Sequence, residues 1–104
     1  MLKLTEANFK QLVIDSEIPV MVEFYSRHCS KCAIMEDVVD SLENRLAQKM
    51  RFGRVNIDQC RRLKARYGID IIPTFIIFKG GKAIGCMIGV VNEETISDRI
   101  EEMI

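Results

Sequence analysis

Cys29 and Cys32 flank two residues in Cys29-Ser30-Lys31-Cys32, at the junction between a strand-like run and a long helical run. Before the pair, Val20-Met21-Val22-Glu23-Phe24-Tyr25 is apolar and rich in β-formers. After it, Met35, Val38, Val39, Leu42 and Leu46 recur at helical steps. A cysteine at the opening of a helix meets unpaired backbone N–H groups and a partial positive charge, which favour thiolate over thiol. The thiolate is the form that attacks a disulfide, so thiol–disulfide exchange is the chemistry this placement favours. Two other uses of the same residues compete with it. Cys29, Cys32 and His28 could ligate zinc or help hold an iron–sulfur centre, although no second Cys-x-x-C supplies further ligands. The pair could also sit on a binding module that performs no turnover.

Composition narrows the classes of function. The chain has 104 residues, which fits a single domain over 1–104, and 48% of them are hydrophobic. That fraction supports a packed core rather than a disordered tail. Fifteen basic residues balance fifteen acidic ones. A nucleic-acid partner, which needs a basic face to neutralise phosphate, is therefore not expected. No run approaches the ~20 apolar residues of a membrane span, and Met1-Leu2-Lys3-Leu4-Thr5-Glu6 turns polar at once. The expectation is a cytoplasmic chain. Its four cysteines then read as catalytic, metal-binding or buried rather than as a disulfide framework.

The elements that must position the pair follow from patterning. Leu2-Lys3-Leu4 predicts a short strand. Thr5 predicts an N-cap with Leu4 and Phe9 stapled across it, for a helix ending near Asp15. The strand at 20–25 and a helix over about 30–49 follow, then a strand at 51–57. Asp58 predicts the cap of a short helix over about 59–67, and Gly68 its C-terminal stop. Ile72-Pro73-Thr74 leads into the strand Phe75-Ile76-Ile77-Phe78. Lys79-Gly80-Gly81-Lys82 signals a hairpin into a strand at 83–89, and Asn92 caps a last helix. Alternating elements that end in a hairpin predict a mixed central sheet with helices on both faces. Cys60 shares a helical face with Leu63, and Cys86 alternates with Ile84 and Ile88, so both read as small buried residues. Arg61, Arg62, Lys64 and Arg66 read as a solvated helix face.

Element order, the Cys-x-x-C at the start of the second helix and the downstream Ile72-Pro73-Thr74 together resemble the thioredoxin family. Pro19-Val20-Met21-Val22-Glu23-Phe24-Tyr25, Val55-Asn56-Ile57-Asp58, Tyr67-Gly68-Ile69, Phe78-Lys79-Gly80-Gly81 and Ile88-Gly89 extend the likeness over essentially the whole chain. The resemblance implies an α/β thioredoxin fold and a protein-disulfide oxidoreductase. In that reading Cys29 is the exposed nucleophile, and Cys32 is the less exposed resolving thiol. Pro73 is a cis-proline, and the Ile72 backbone pairs with an extended client chain. His28, Ser30, Lys31 and Thr74 join it as client-facing positions, and Gly89 admits the client backbone. Glu23 matches a buried acid that accepts the Cys32 proton, and Arg54 matches the cation paired with it. The redox-active disulfide is the only prosthetic device implied, with no cofactor and no metal. The implied partners are disulfide-containing client proteins and a thioredoxin-reductase-type donor drawing on NADPH or ferredoxin, served by a monomer.

The chain departs from the family's common pattern in four places, one of them the active-site motif itself. His28-Cys29-Ser30-Lys31-Cys32 replaces Trp-Cys-Gly-Pro-Cys, Tyr25 occupies a second common tryptophan position, and Asp37 replaces a helix-kinking proline. Glu23 replaces aspartate. A cation beside Cys29 stabilises its thiolate, so Lys31 predicts a more oxidising couple than a Gly-Pro site. The more polar, basic surroundings of Cys29 predict an acidic or dedicated partner.

Overall fold

The strand at the heart of the protein, β2 (Val20–Tyr25), is buried on both faces because helices cover both. In the computed structural model, which describes residues 1–104, it lies in a five-stranded sheet of order β1-β3-β2-β4-β5. β1 (Leu2–Leu4), β3 (Arg51–Asn56) and β2 run parallel, and β4 (Thr74–Lys79) and β5 (Lys82–Ile88) add on antiparallel. Alternation along β2 sorts its side chains between two cores. Val20, Val22 and Phe24 join Phe9, Val13, Leu63 and Ile69 on one face. Met21 joins Met35, Val39, Leu42, Ile96 and Ile100 on the other. The second core lies under α1 (Ser30–Leu46) and α3 (Glu93–Met103), and the first under α2 (Arg61–Arg66) and the helical turn at 10–14. This is the mixed sheet with helices on both faces that the patterning predicts.

Local chemistry explains most boundaries. Thr5 and Asn8 form a reciprocal cap: Asn8 N–H donates to Thr5 Oγ1 at 3.2 Å, and Thr5 N–H to Asn8 Oδ1 at 2.7 Å. The segment beyond widens into a π-type turn at 10–14, where Asp15 N–H reaches back to the Lys10 carbonyl. Gly80 and Gly81 both take positive φ, as a two-residue hairpin turn requires. Asn92 Oδ1 caps α3 by accepting from Thr95 N–H at 2.8 Å. With Asp37 in place of proline, α1 runs unbroken from 30 to 46, three residues short of the predicted end.

Two expectations are corrected. Asp58 does not cap α2; it accepts from Ser26 Oγ at 2.7 Å instead. The cap comes from Glu6, whose carboxylate accepts from Arg62 N–H at 3.2 Å and Leu63 N–H at 2.9 Å. A glutamate 57 residues upstream thus fixes the helix that follows β3. Glu6→Ala is expected to cost about 1 kcal/mol, the usual value of a lost cap, read as a lower urea midpoint at unchanged m-value. The second correction concerns Cys86, which is exposed together with Ile84 and Ile88. β5 is an edge strand, and no helix reaches over that side of it. Cys60 is buried as expected, its thiol directed at the Leu4 carbonyl, and burial pushes its pKa up.

Candidate active site

The loop after β2 delivers Cys29 to the head of α1. Cys29 takes extended backbone angles as the N-cap residue, and its Sγ accepts the Cys32 N–H at 3.1 Å. The sulfur therefore occupies the anion-favouring position at a 17-residue helix. Cys32 lies one turn on, at 3% exposure, while Cys29 remains partly open to solvent. The two sulfurs are joined as a disulfide with Cα atoms 5.2 Å apart, and a bridge of this span reforms without backbone movement. One accessible and one shielded sulfur is the asymmetry that two-step exchange needs.

Pro73 immediately precedes β4, at the end of the sheet where β2 leads to Cys29, because Phe24 pairs with Thr74, and the Ile72–Pro73 peptide bond is cis. The Pro73 carbonyl accepts from Gly89 N–H at 2.8 Å, which ties the end of β5 to the proline loop. Gly89 has φ +82°, and a Cβ there would meet no atom of the chain, so the space above it is open. The backbone N–H and C=O of half-buried Ile72 take part in no backbone hydrogen bond. Unpaired groups beside an open glycine form a short free edge that an extended chain can join. Thr74 is buried, its hydroxyl donating to the Ile71 carbonyl at 2.5 Å, which braces the loop from inside. His28, Ser30 and Lys31 are exposed around Cys29, and none belongs to an ion pair.

Glu23 points to the α1 side of the sheet, as Met21 does, and is 2% exposed. Parallel pairing sets Arg54 of β3 directly beside it, and Arg54 Nε donates to Glu23 Oε1 at 3.2 Å. Glu23 Oε2 is buried with no partner. Burial raises the Glu23 pKa above the usual carboxylate value, and the Arg54 charge and hydrogen bond only partly offset it. Glu36 and Asp40, in the turns of α1 after Cys32, raise it further. These two acids, Val39, Arg54 and Met1 wall a cleft of about 330 Å³ that opens onto Glu23. The Arg54 guanidinium also stacks on the Tyr25 ring, 3.9 Å from its centroid. The two acids and the stacked tyrosine add to what the sequence singled out. Their signal was the spacing of Glu36 and Asp40, four and eight residues after Cys32 on one helix.

The sequence-predicted residues thus fall into two groups. Ile72, Pro73, Thr74 and Gly89 meet at the proline loop, through the Gly89–Pro73 bond and the Thr74–Ile88 pairing, and Cys29 and Cys32 follow β2 at the same end of the sheet. Glu23 and Arg54 lie behind, under α1, where Glu23's one hydrogen bond is to Arg54. His28, Cys29 and Cys32 belong to no group that could hold a metal ion, so the metal alternative finds no support.

A disulfide that can open and close at the head of a helix, on a mixed sheet with helices on both faces, makes this protein a thiol–disulfide oxidoreductase. Comparison with known proteins is consistent with that chemistry. The thioredoxin family model matches residues 1–102. The chain is 36% identical over 100 residues to thioredoxin 1 of Nostoc sp., covering 96% of this chain and 94% of that one. It is 32% identical over 100 residues to a thioredoxin of Rickettsia prowazekii, covering 96% and 95%. It is also 37% identical over 101 residues to chloroplastic thioredoxin M4 of Arabidopsis thaliana, covering 97% of this chain and 52% of that longer one. The chain belongs to the thioredoxin family.

Proposed function

We propose that this protein is a monomeric, single-domain, cytoplasmic reductase of protein disulfides. The observation that carries the reading is the pairing of partly open Cys29 with buried Cys32, at the same end of the sheet as the unpaired backbone of Ile72. In the reduced protein, the Cys29 thiolate attacks one sulfur of a client disulfide. A Cys29–client mixed disulfide forms, and one client thiolate leaves. Cys32 then loses its proton to Glu23 and attacks Cys29 Sγ, releasing the second client thiolate and closing Cys29–Cys32. The client gains two electrons and two protons. Arg54 holds Glu23 in place and tempers its basicity, while Ile72, Pro73 and Gly89 seat the client chain. Ser30, Lys31 and His28 border that seat, while Thr74, expected to face the client, is buried and braces the loop from beneath. The cycle needs a donor of two electrons, a reductase of the thioredoxin-reductase type, and no other cofactor.

Insulin reduction by dithiothreitol is the test. Catalysed precipitation of the B chain at sub-stoichiometric protein is expected, and its absence would sink the reading. The potential of the couple is a finer expectation. Lys31 sits exposed in the first turn of α1, where its charge favours the Cys29 thiolate and hence the reduced form. Equilibration against glutathione buffers is expected to give a less negative potential than a Cys-Gly-Pro-Cys thioredoxin. A shift of about 30 mV corresponds to about 1.4 kcal/mol. A value as low as that of the Gly-Pro site would demote Lys31 to a neutral surface substitution.

A further inference from the structure

The chain is neutral overall, but its charges are sorted across the sheet. α1 holds four carboxylates and α3 five, against two and one cations. On the opposite face, α2 is Arg61-Arg62-Leu63-Lys64-Ala65-Arg66, four cations with no acid. All four are exposed, and none belongs to an ion pair. Arg61 and Lys64 lie three apart, and Arg62 and Arg66 four apart, spacings at which like charges destabilise an isolated helix. Arg61 and Arg62 also sit at the end of the helix where its dipole disfavours cations. Glu6 caps the start of the helix and the Arg66 guanidinium lies over the Tyr67 ring, but Arg61 and Lys64 have no ion-pair partner, which leaves their charge open to compensation from outside.

The place of α2 says what that partner is doing. A cleft of about 650 Å³ runs along it, lined by Ile57, Asp58, Arg61, Lys64 and Asp70 among others. At one end Asp58 is hydrogen-bonded to Ser26, three residues before Cys29. At the other, Asp70 lies three residues before Pro73. The cleft lining thus connects to the segment before Cys29 through Asp58 and Ser26, and to the segment before Pro73 through Asp70. Arg27, His28 and Lys31, next to Cys29 in the chain, are exposed as well, while Asp58 and Asp70 line the cleft with Arg61 and Lys64.

We propose that Arg61 and Lys64, which line this cleft, form a docking rim for client proteins whose reducible disulfide is flanked by acidic residues. This rests on the disulfide-reductase reading and deepens it. A basic rim beside the nucleophile draws in an acidic segment and orients it, while the acidic α1–α3 face repels the wrong approach. A protein segment suits the place better than a nucleic acid, because the unpaired Ile72 backbone offers an extended peptide a seat.

The test uses three disulfides: two intramolecularly bridged peptides of equal length, one with four flanking glutamates and one with four flanking lysines, and bis(2-hydroxyethyl) disulfide. Second-order rate constants are measured with the pre-reduced protein. The acidic peptide is expected to react about tenfold faster than the basic one at low ionic strength. The gap should close at about 0.5 M salt. The Arg61→Glu/Lys64→Glu variant should lose the preference and keep the wild-type rate on the neutral disulfide. Arg61→Gln/Lys64→Gln should give an intermediate preference, and it keeps the test readable if charge reversal disturbs α2. Equal peptide rates, or an undiminished preference in both variants, would overturn the docking rim while turnover of the neutral disulfide left the reductase reading intact. No turnover of the neutral disulfide by the wild type would overturn both. Tight binding of a single-stranded oligonucleotide without an acidic-peptide preference would reassign the rim to nucleic acid.

Discussion

Replacing Cys32 with serine is expected to halt turnover at the mixed disulfide and leave Cys29 covalently bonded to its client. The first exchange needs only Cys29, which is partly open to solvent at the helix end. The second needs a thiolate at 32, and a serine hydroxyl at neutral pH is too weak a nucleophile to displace a sulfur. Catalysed insulin reduction should fall by on the order of 10³-fold or more, as when an essential nucleophile is removed elsewhere. Non-reducing electrophoresis or intact-mass measurement should show a one-to-one adduct with a client, cleared by dithiothreitol. Cys29→Ser is the matching control. Serine is a good N-cap residue, so the role that Cys29 Sγ plays in accepting the Cys32 N–H survives and α1 should form. That variant should form no adduct, because Cys32, at 3% exposure, cannot be reached by a protein disulfide. An adduct through Cys32 in Cys29→Ser, with none through Cys29 in Cys32→Ser, would invert the two roles.

What is legible in the sequence is what short-range chemistry decides. The strand-to-helix junction at Cys29, the alternation in β2, the Gly-Gly hairpin and the Asn92 cap are decided by residues within a few positions of one another. Such signals survive in a sequence. What the sequence misplaced depends on parts of the chain that meet only in the fold. Asp58 has the right type and place to cap α2, yet Glu6, over 50 residues away, reaches those N–H groups. Ile84, Cys86 and Ile88 alternate as a buried strand face should, but periodicity says which residues share a face and not whether anything covers it. β5 is at the edge, so that face is bare. The Glu23–Arg54 pair is a register partnership between β2 and β3, anticipated through the family likeness. The sorting of charge between α2 and the α1–α3 face was hidden by a net charge of zero.

Glu23→Gln is expected to make the protein more stable at neutral pH and slower as a catalyst. In the folded chain the carboxyl is buried, one oxygen has no partner, and its pKa is raised, with burial as the largest cause. A carboxylate whose pKa is higher in the folded than in the unfolded chain binds more protons when folded. Its contribution to stability is therefore fully present below the unfolded value of 4.5 and is lost as pH rises through the folded pKa. The amide keeps the shape and can still hydrogen-bond, but it never ionises. Arg54 tolerates the change because its side chain is 30% exposed and stays stacked on Tyr25. The gain above the folded pKa should be on the order of 1–3 kcal/mol, the scale of an unsatisfied buried polar group. It should vanish toward pH 4.5. Urea denaturation of both proteins from pH 4.5 to 9 reads this out. The difference between them isolates Glu23 from groups such as Glu93, whose pKa is lowered by Arg45 and Ser41 and whose linkage has the opposite sign. The same substitution removes the base proposed to take the Cys32 proton. Release of the second client thiol should slow by on the order of 10²-fold near neutrality, recovering as rising pH ionises Cys32 without help. A variant less stable than wild type across the whole range would mean that the Arg54 ion pair outweighs the cost of burial. A wild-type release rate in a more stable variant would leave Glu23 a structural acid with no proton to move.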